Sequence, residues 1–236
     1  DSSAPTCSRR LTPLEPEGRR ILAFASAARQ APGESVIHAT STLPPAPASA
    51  FLTSGEHLFG VALRKLASHH DQRGSFAELY SSQAPALFTP AQWSLVTSRP
   101  GTLRGMHLHR RHDESLLLLQ GRVHIGLHDV RPGSPTRGRS ALYTFAAGDD
   151  VVLEFPRGLV HGWLFSEPSM HLQAVSETYA DYNADDNLGC HWSDPALAIP
   201  WPIQPTLVAG RADAFPSLAP LVAESLARDP AFGLLG

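Results

Sequence analysis

The stretch Gly101–Gly121 reads GTLRGMHLHRRHDESLLLLQG. His107 and His109 stand two apart in it, so a strand here turns both imidazoles to one face. Arg110–Asp113 is polar and reads as a turn, and Glu114 opens the return strand Glu114–Leu119. A second stretch, Gly148–Phe165, reads GDDVVLEFPRGLVHGWLF and supplies His161 from a distant strand. Three imidazoles and one carboxylate that converge inside a barrel suit a divalent transition metal such as Fe, Mn, Ni, Zn or Cu, with positions left open for substrate. His107, His109, Glu114 and His161 are therefore the candidate ligands. His112, in the same polar turn, is expected to face solvent.

Around these stretches, short β-branched and apolar segments recur between Gly, Pro, Asp and Ser. They are Leu58–Leu66, Phe76–Leu79, Trp93–Thr97, Arg122–His128, Ala141–Phe145, Asp150–Phe155, His161–Phe165 and His171–Glu177. Such spacing predicts an all-β sandwich or barrel. Strict alternation in RVHIGLH puts Val123, Ile125 and Leu127 on one face. Residues 1–55 differ: a short helix is expected around Arg19–Arg29, followed by a linker at Thr42–Ala50 with Pro44, Pro45 and Pro47. This gives an N-terminal extension (1–55), a barrel (56–216) and a C-terminal helical tail (217–236). In the tail, Leu218, Leu221, Val222 and Leu226 line one side.

The 236 residues are 42% apolar and 17% charged, and the net charge of −3 gives no reason to expect nucleic acid or an anionic membrane as partner. No apolar run reaches the ~20 residues of a membrane helix. Cys7 and Cys190 are the two cysteines, too few for a disulfide framework, which points to the reducing cytoplasm. The first residue is Asp1, with no basic-then-apolar leader after it, and reads as a trimmed or processed start.

The two histidine stretches match the paired motifs of the double-stranded β-helix, or cupin, jelly-roll barrels. Five further-reaching pieces, in order, narrow this. Asp71–Phe76 (DQRGSF), Leu103–His107 (LRGMH), Asp129–Thr136 (DVRPGSPT), Pro156–Gly162 (PRGLVHG) and Asp194–Pro202 (DPALAIPWP) resemble the dTDP-4-dehydrorhamnose 3,5-epimerase family. The resemblance runs from about Leu58 to Leu218. It implies that His107 is the base that takes a proton beside a keto group, that Asp213 orients it, and that His161 is the second active-site histidine. It implies nucleotide contacts from Arg73, Glu78, Gln92 and Arg104. Arg73 and Glu78 would reach in from a swapped N-terminal strand of a homodimer.

Three positions depart from the family, the first being His109, since the family follows its LRGLH motif with Tyr-Gln where this chain has Leu108-His109. The family's enolate-stabilising lysine is replaced by Glu114, and its acid tyrosine by Ala174, with Gln173 beside it and Tyr179 and Tyr182 further on. A carboxylate at the lysine's place repels developing negative charge. A metal there can polarise the keto oxygen instead. If His107 were a ligand, Asp213 would fix its tautomer, and another group would act as base. Four functions follow as expectations: a metal-dependent isomerase, epimerase or lyase acting on a nucleotide-linked keto sugar; a conventional metal-free 3- or 3,5-epimerase; an Fe(II)-type cupin dioxygenase; and a sugar-nucleotide binding module without turnover.

Overall fold

The computed structural model describes residues 50–83, 86–230 and 232. The expected helix at 19–29 and nearly all of the proline-rich stretch lie outside them. Fourteen strands form: β1 (Leu52–Gly55), β2 (Ala62–Lys65), β3 (Ser68–Asp71), β4 (Gly74–Ala77), β5 (Gln92–Ser98), β6 (Thr102–Leu108), β7 (Glu114–Gln120), β8 (Arg122–Asp129), β9 (Ser140–Ala146), β10 (Val151–Phe155), β11 (Leu159–Phe165), β12 (Ser169–Val175), β13 (Leu188–Gly189) and β14 (Leu207–Val208). One sheet runs β1-β9-β8-β11-β6-β13, with β14 also paired to β6; the other runs β2-β10-β7-β12-β5. β3 and β4 make a separate hairpin. This is the jelly-roll arrangement that the short strands predicted.

The apolar face of β8 shows why the barrel closes. Val123, Ile125 and Leu127 are all fully buried and pack with Leu116, Leu118, Leu153 and Phe155 from the other sheet. Each such side chain contributes roughly 1.5–3 kcal/mol on burial. The opposite face of β8 is covered too. His124 meets Thr144 and Ser166, His128 meets Ser140, and a side chain at Gly126 would strike Trp201 and Ile199. The segment after residue 190 therefore forms an outer layer on this sheet.

Helix α1 (Tyr179–Tyr182), helix α2 (Gly210–Asp213) and helix α3 (Leu218–Arg228) follow the main strands, with short 3-10 turns at Ala147–Asp149, Ala184–Asp186 and Pro195–Leu197. Leu218 and Leu221 of α3 are buried, with Val222 and Leu226 beside them, against Met106, Leu108 and Val160. The apolar stripe read from the tail is thus its packing face. No helix among the described residues is long and apolar enough to cross a membrane.

Two readings shift. Of Leu58–Leu66, only Ala62–Lys65 is strand; Leu58 is fully buried but precedes a turn at Gly60, whose φ is +81°. Strand β1 lies within the stretch read as extension and pairs with β9.

Candidate functional site

Three strands bring the four candidate ligands together. β6 carries His107 and leads into His109, β11 carries His161, and β7 begins at Glu114. β6 and β11 pair with His161 opposite His107, and a bulge follows between His161 and Gly162. Gly105 lies at that bulge with φ +122°. A Cβ there would sit 2.6 Å from the His161 carbonyl oxygen and 2.7 Å from Gly162 Cα, so only glycine lets the two strands approach.

One ligand atom from each of His107, His109 and His161 lies within 4.8 Å of the other two. Glu114 joins through His161, whose Nε2 is 2.9 Å from Glu114 Oε2. His109, Glu114 and His161 are buried, and His107 is half-buried. The ring orientations are set from behind. His109 Nδ1 donates to the Asp186 carbonyl at 2.6 Å, and His161 Nδ1 donates to the Leu159 carbonyl at 3.1 Å. A carbonyl only accepts, so each Nδ1 carries the hydrogen and each Nε2 is left toward the cluster. No hydrogen bond reaches the His107 ring among the described residues.

Burial lowers the His107 pKa to about 3, helped by the charges of His161 and His109. Burial likewise takes His109 to about 4. Burial alone would raise Glu114, but the charge and hydrogen bond of His161, with His109 and His112 behind it, outweigh burial and hold the carboxyl below its usual range. Glu114 Oε1 accepts from the Gln173 amide. Glu114 Oε2 faces His161 Nε2.

His112 corrects the sequence reading. It is 1% exposed rather than facing solvent. The covering group is Asp186, 74 residues later, whose carboxylate accepts from His112 Nδ1 at 3.0 Å and from the Arg110 and Arg111 amides at 2.7 and 3.0 Å. Tyr182 stacks on the other side of His112, ring centroids 4.1 Å apart. Burial, with Glu114's charge, pushes the Tyr182 phenol up to about 12. Spacing in the sequence held no signal for Asp186, because its partners are local only in space.

Asp213 does not meet His107. Its side chain is 67% exposed and lies 3.7 Å from His191 Nε2. In α2 it is Ala212 that turns inward, and from this segment Phe215 approaches His107, with ring centroids 6.0 Å apart.

The expected nucleotide contacts scatter. Arg73, in the β3–β4 hairpin, pairs with Asp71 at 2.5 Å and its side chain is 86% exposed. Glu78 is exposed and in no ion pair among the described residues. Neither is hydrogen-bonded to the histidine cluster. Gln92 Oε1 accepts from the Tyr179 amide at 3.0 Å, holding α1 and hence Tyr182 in place. Arg104 is exposed; its guanidinium reaches Ser98 Oγ at 3.0 Å and the Thr97 carbonyl at 2.9 Å, and it lines a shallow cleft with Arg99 and Thr102.

A two-sheet jelly roll with a buried histidine cluster defines the class. The model of the family described as dTDP-4-dehydrorhamnose 3,5-epimerase matches residues 56–219, and the chain belongs to that family of isomerases. A spore coat polysaccharide biosynthesis protein of Bacillus subtilis is 32% identical over 148 residues, 60% of this chain and 95% of that protein. Among solved structures, a 4-keto-6-deoxy sugar epimerase from the novobiocin biosynthetic gene cluster of Streptomyces spheroides is 26% identical, with a TM-score of 0.64 over 79% of this chain and 96% of that one. A 3'-monoepimerase from Streptomyces bikiniensis, in complex with dTDP-quinovose, is 26% identical with a TM-score of 0.64, over 73% and 89% respectively.

Proposed function

We propose that this protein epimerises a dTDP-linked 4-keto-6-deoxyhexose at a carbon beside the keto group. The observation that carries the reading is family membership across the whole barrel, with His107 and His161 side by side, ring centroids 6.0 Å apart, at the positions of the family's two histidines. A hydrogen next to a ketone is acidic because the enolate spreads the charge onto oxygen. Removing it and returning it to the other face inverts the carbon. His107 is neutral at neutral pH, because burial and its neighbours lower its pKa to about 3. That is the form that accepts a proton. Tyr182 keeps its proton at that pH and is a donor within the cluster. Arg104, exposed beside a cleft, is suited to a diphosphate, whose oxygens its fork can pair.

The conventional metal-free route has the comparisons on its side. A metal-assisted route is favoured by one observation: a carboxylate, Glu114, stands buried where the family's lysine would be. The test of the shared reading is product analysis. Purified protein incubated with a dTDP-4-keto-6-deoxyhexose is expected to yield its epimer, identified by proton NMR coupling constants. Thymidine diphosphate that binds while the keto sugar returns unchanged would favour a binding module without turnover.

A further inference from the structure

We propose that His107, His109, Glu114 and His161 hold one divalent transition-metal ion, standing in for the cationic lysine at Glu114's position. The inference rests on the epimerase reading for its purpose, since a cation there can steady the enolate oxygen while a group other than the metal-bound His107 takes the proton, but metal binding stands on its own geometry.

The first support is tautomeric. Backbone carbonyls fix the hydrogens of His109 and His161 on Nδ1. Their Nε2 atoms are left toward the buried cluster, where His161 Nε2 also faces Glu114 Oε2 at 2.9 Å, and an electrophile is suited to meet such lone pairs. The second is charge. Glu114 is 1% exposed, and among the described residues no arginine or lysine forms an ion pair with it. The nearby arginines are taken: Arg110 faces Asp186, Arg111 faces Glu177 and Arg157 faces Asp113. Gln173, a neutral amide, holds only Oε1. A buried carboxylate without a cation is unfavourable by several kcal/mol.

A proton on His161 is the simple alternative, and the distance of 2.9 Å would allow it. A metal ion shared by the two atoms accounts for the same separation, and it also accounts for the His107 and His109 rings beside them. Metal–ligand bonds of about 2.1 Å at right angles separate neighbouring ligand atoms by about 3 Å. Three imidazoles with one carboxylate select a first-row transition ion rather than magnesium or calcium, which prefer all-oxygen shells.

The experiment uses the full chain, untagged and purified without a metal column. Elemental analysis is expected to find about one transition-metal equivalent per chain. After chelation, cobalt(II) alone is added back as the probe, and visible d–d absorption is expected to saturate at one equivalent. His109→Ala and Glu114→Gln are expected to weaken cobalt binding by about 100-fold or more, beyond the 10–100-fold usual for losing a mere supporting contact. His191→Ala, outside the cluster, is expected to bind as the parent does. Thermal melts confirm that each variant is folded; should His109→Ala not fold, Glu114→Gln carries the comparison. A folded parent protein that takes up neither native metal nor cobalt overturns the proposal. Cobalt binding that survives both substitutions overturns it as well. If no metal binds and epimerisation persists, this inference alone fails; if metal binds but no keto sugar is epimerised, the functional reading alone fails.

Discussion

Asp129 offers a sharp test of how the barrel holds His161. It ends β8, directly opposite Leu159 at the start of β11. Its buried carboxylate accepts from the Arg131 amide, Nε and Nη2 at 3.0, 2.9 and 2.6 Å, from Ser134 Oγ at 2.6 Å and from Thr136 Oγ1 at 2.7 Å. Arg131 is 1% exposed and ties back to the Phe59 carbonyl. Asp129→Asn keeps the shape but removes the charge and turns an amide NH2 toward donors. It leaves a buried guanidinium without its anion, which costs about 3–5 kcal/mol. For a domain of this size that lowers Tm by roughly 6–20 °C. Urea unfolding and thermal melts followed by circular dichroism measure both. Burial alone would raise the Asp129 pKa, but hydrogen bonds from Arg131, Ser134 and Thr136 outweigh it and lower it. The stabilisation is therefore complete above the unfolded value, about 3.9, and is lost as pH falls through the folded one. The variant should lack that part of the acid limb. A loss under about 1 kcal/mol, with an unchanged acid limb, would mean that the buried Asp129–Arg131 pair does not stabilise the barrel.

Other consequences are equally concrete. His171 is buried between Trp163 and Phe165, and burial chiefly takes its pKa to about 4. The unfolded state then binds more protons between about pH 6.5 and 4, so stability falls as pH drops through that window, by up to about 3 kcal/mol from this residue. His171→Phe should flatten this slope in pH-dependent melts. Gly105→Ala places a methyl against the backbone of β11 and is expected to reduce stability by more than about 2 kcal/mol and abolish turnover; a variant as stable and active as the parent would contradict the close approach of β6 and β11. Arg104→Ala should weaken thymidine diphosphate binding about tenfold or more in calorimetry while leaving the melt unchanged, because the side chain is exposed and outside the core.

The strands from Trp93 to Val175 were legible because each alternates or runs apolar between turn residues, and β8 is the clearest case; the two-residue strands β13 and β14 are too short to show either pattern. The β3–β4 hairpin was only half legible. Ser68–Asp71 (SHHD) has no apolar face to betray a strand, and it pairs through its backbone alone. The cluster of His107, His109, Glu114 and His161 was readable because its geometry follows from spacing on paired strands. Its support was not. Asp186 buries His112 and anchors His109 from a segment more than 70 residues away, and nothing in a polar NADDN run distinguishes that aspartate from its neighbours. Asp213 was misread for a related reason. Which residue of a short helix faces inward depends on the packing around it, and there it is Ala212.

The proposed epimerisation breaks and remakes carbon–hydrogen bonds beside a sugar ketone in this barrel. Those bonds are followed by incubating the protein with a dTDP-4-keto-6-deoxyhexose in deuterium oxide and recording the sugar by proton NMR. Proton removal predicts that signals from one or both carbons flanking the keto group disappear as deuterium enters, faster than in a protein-free control. Those signals persisting at the control rate, with the protein folded and the sugar nucleotide bound, would contradict it.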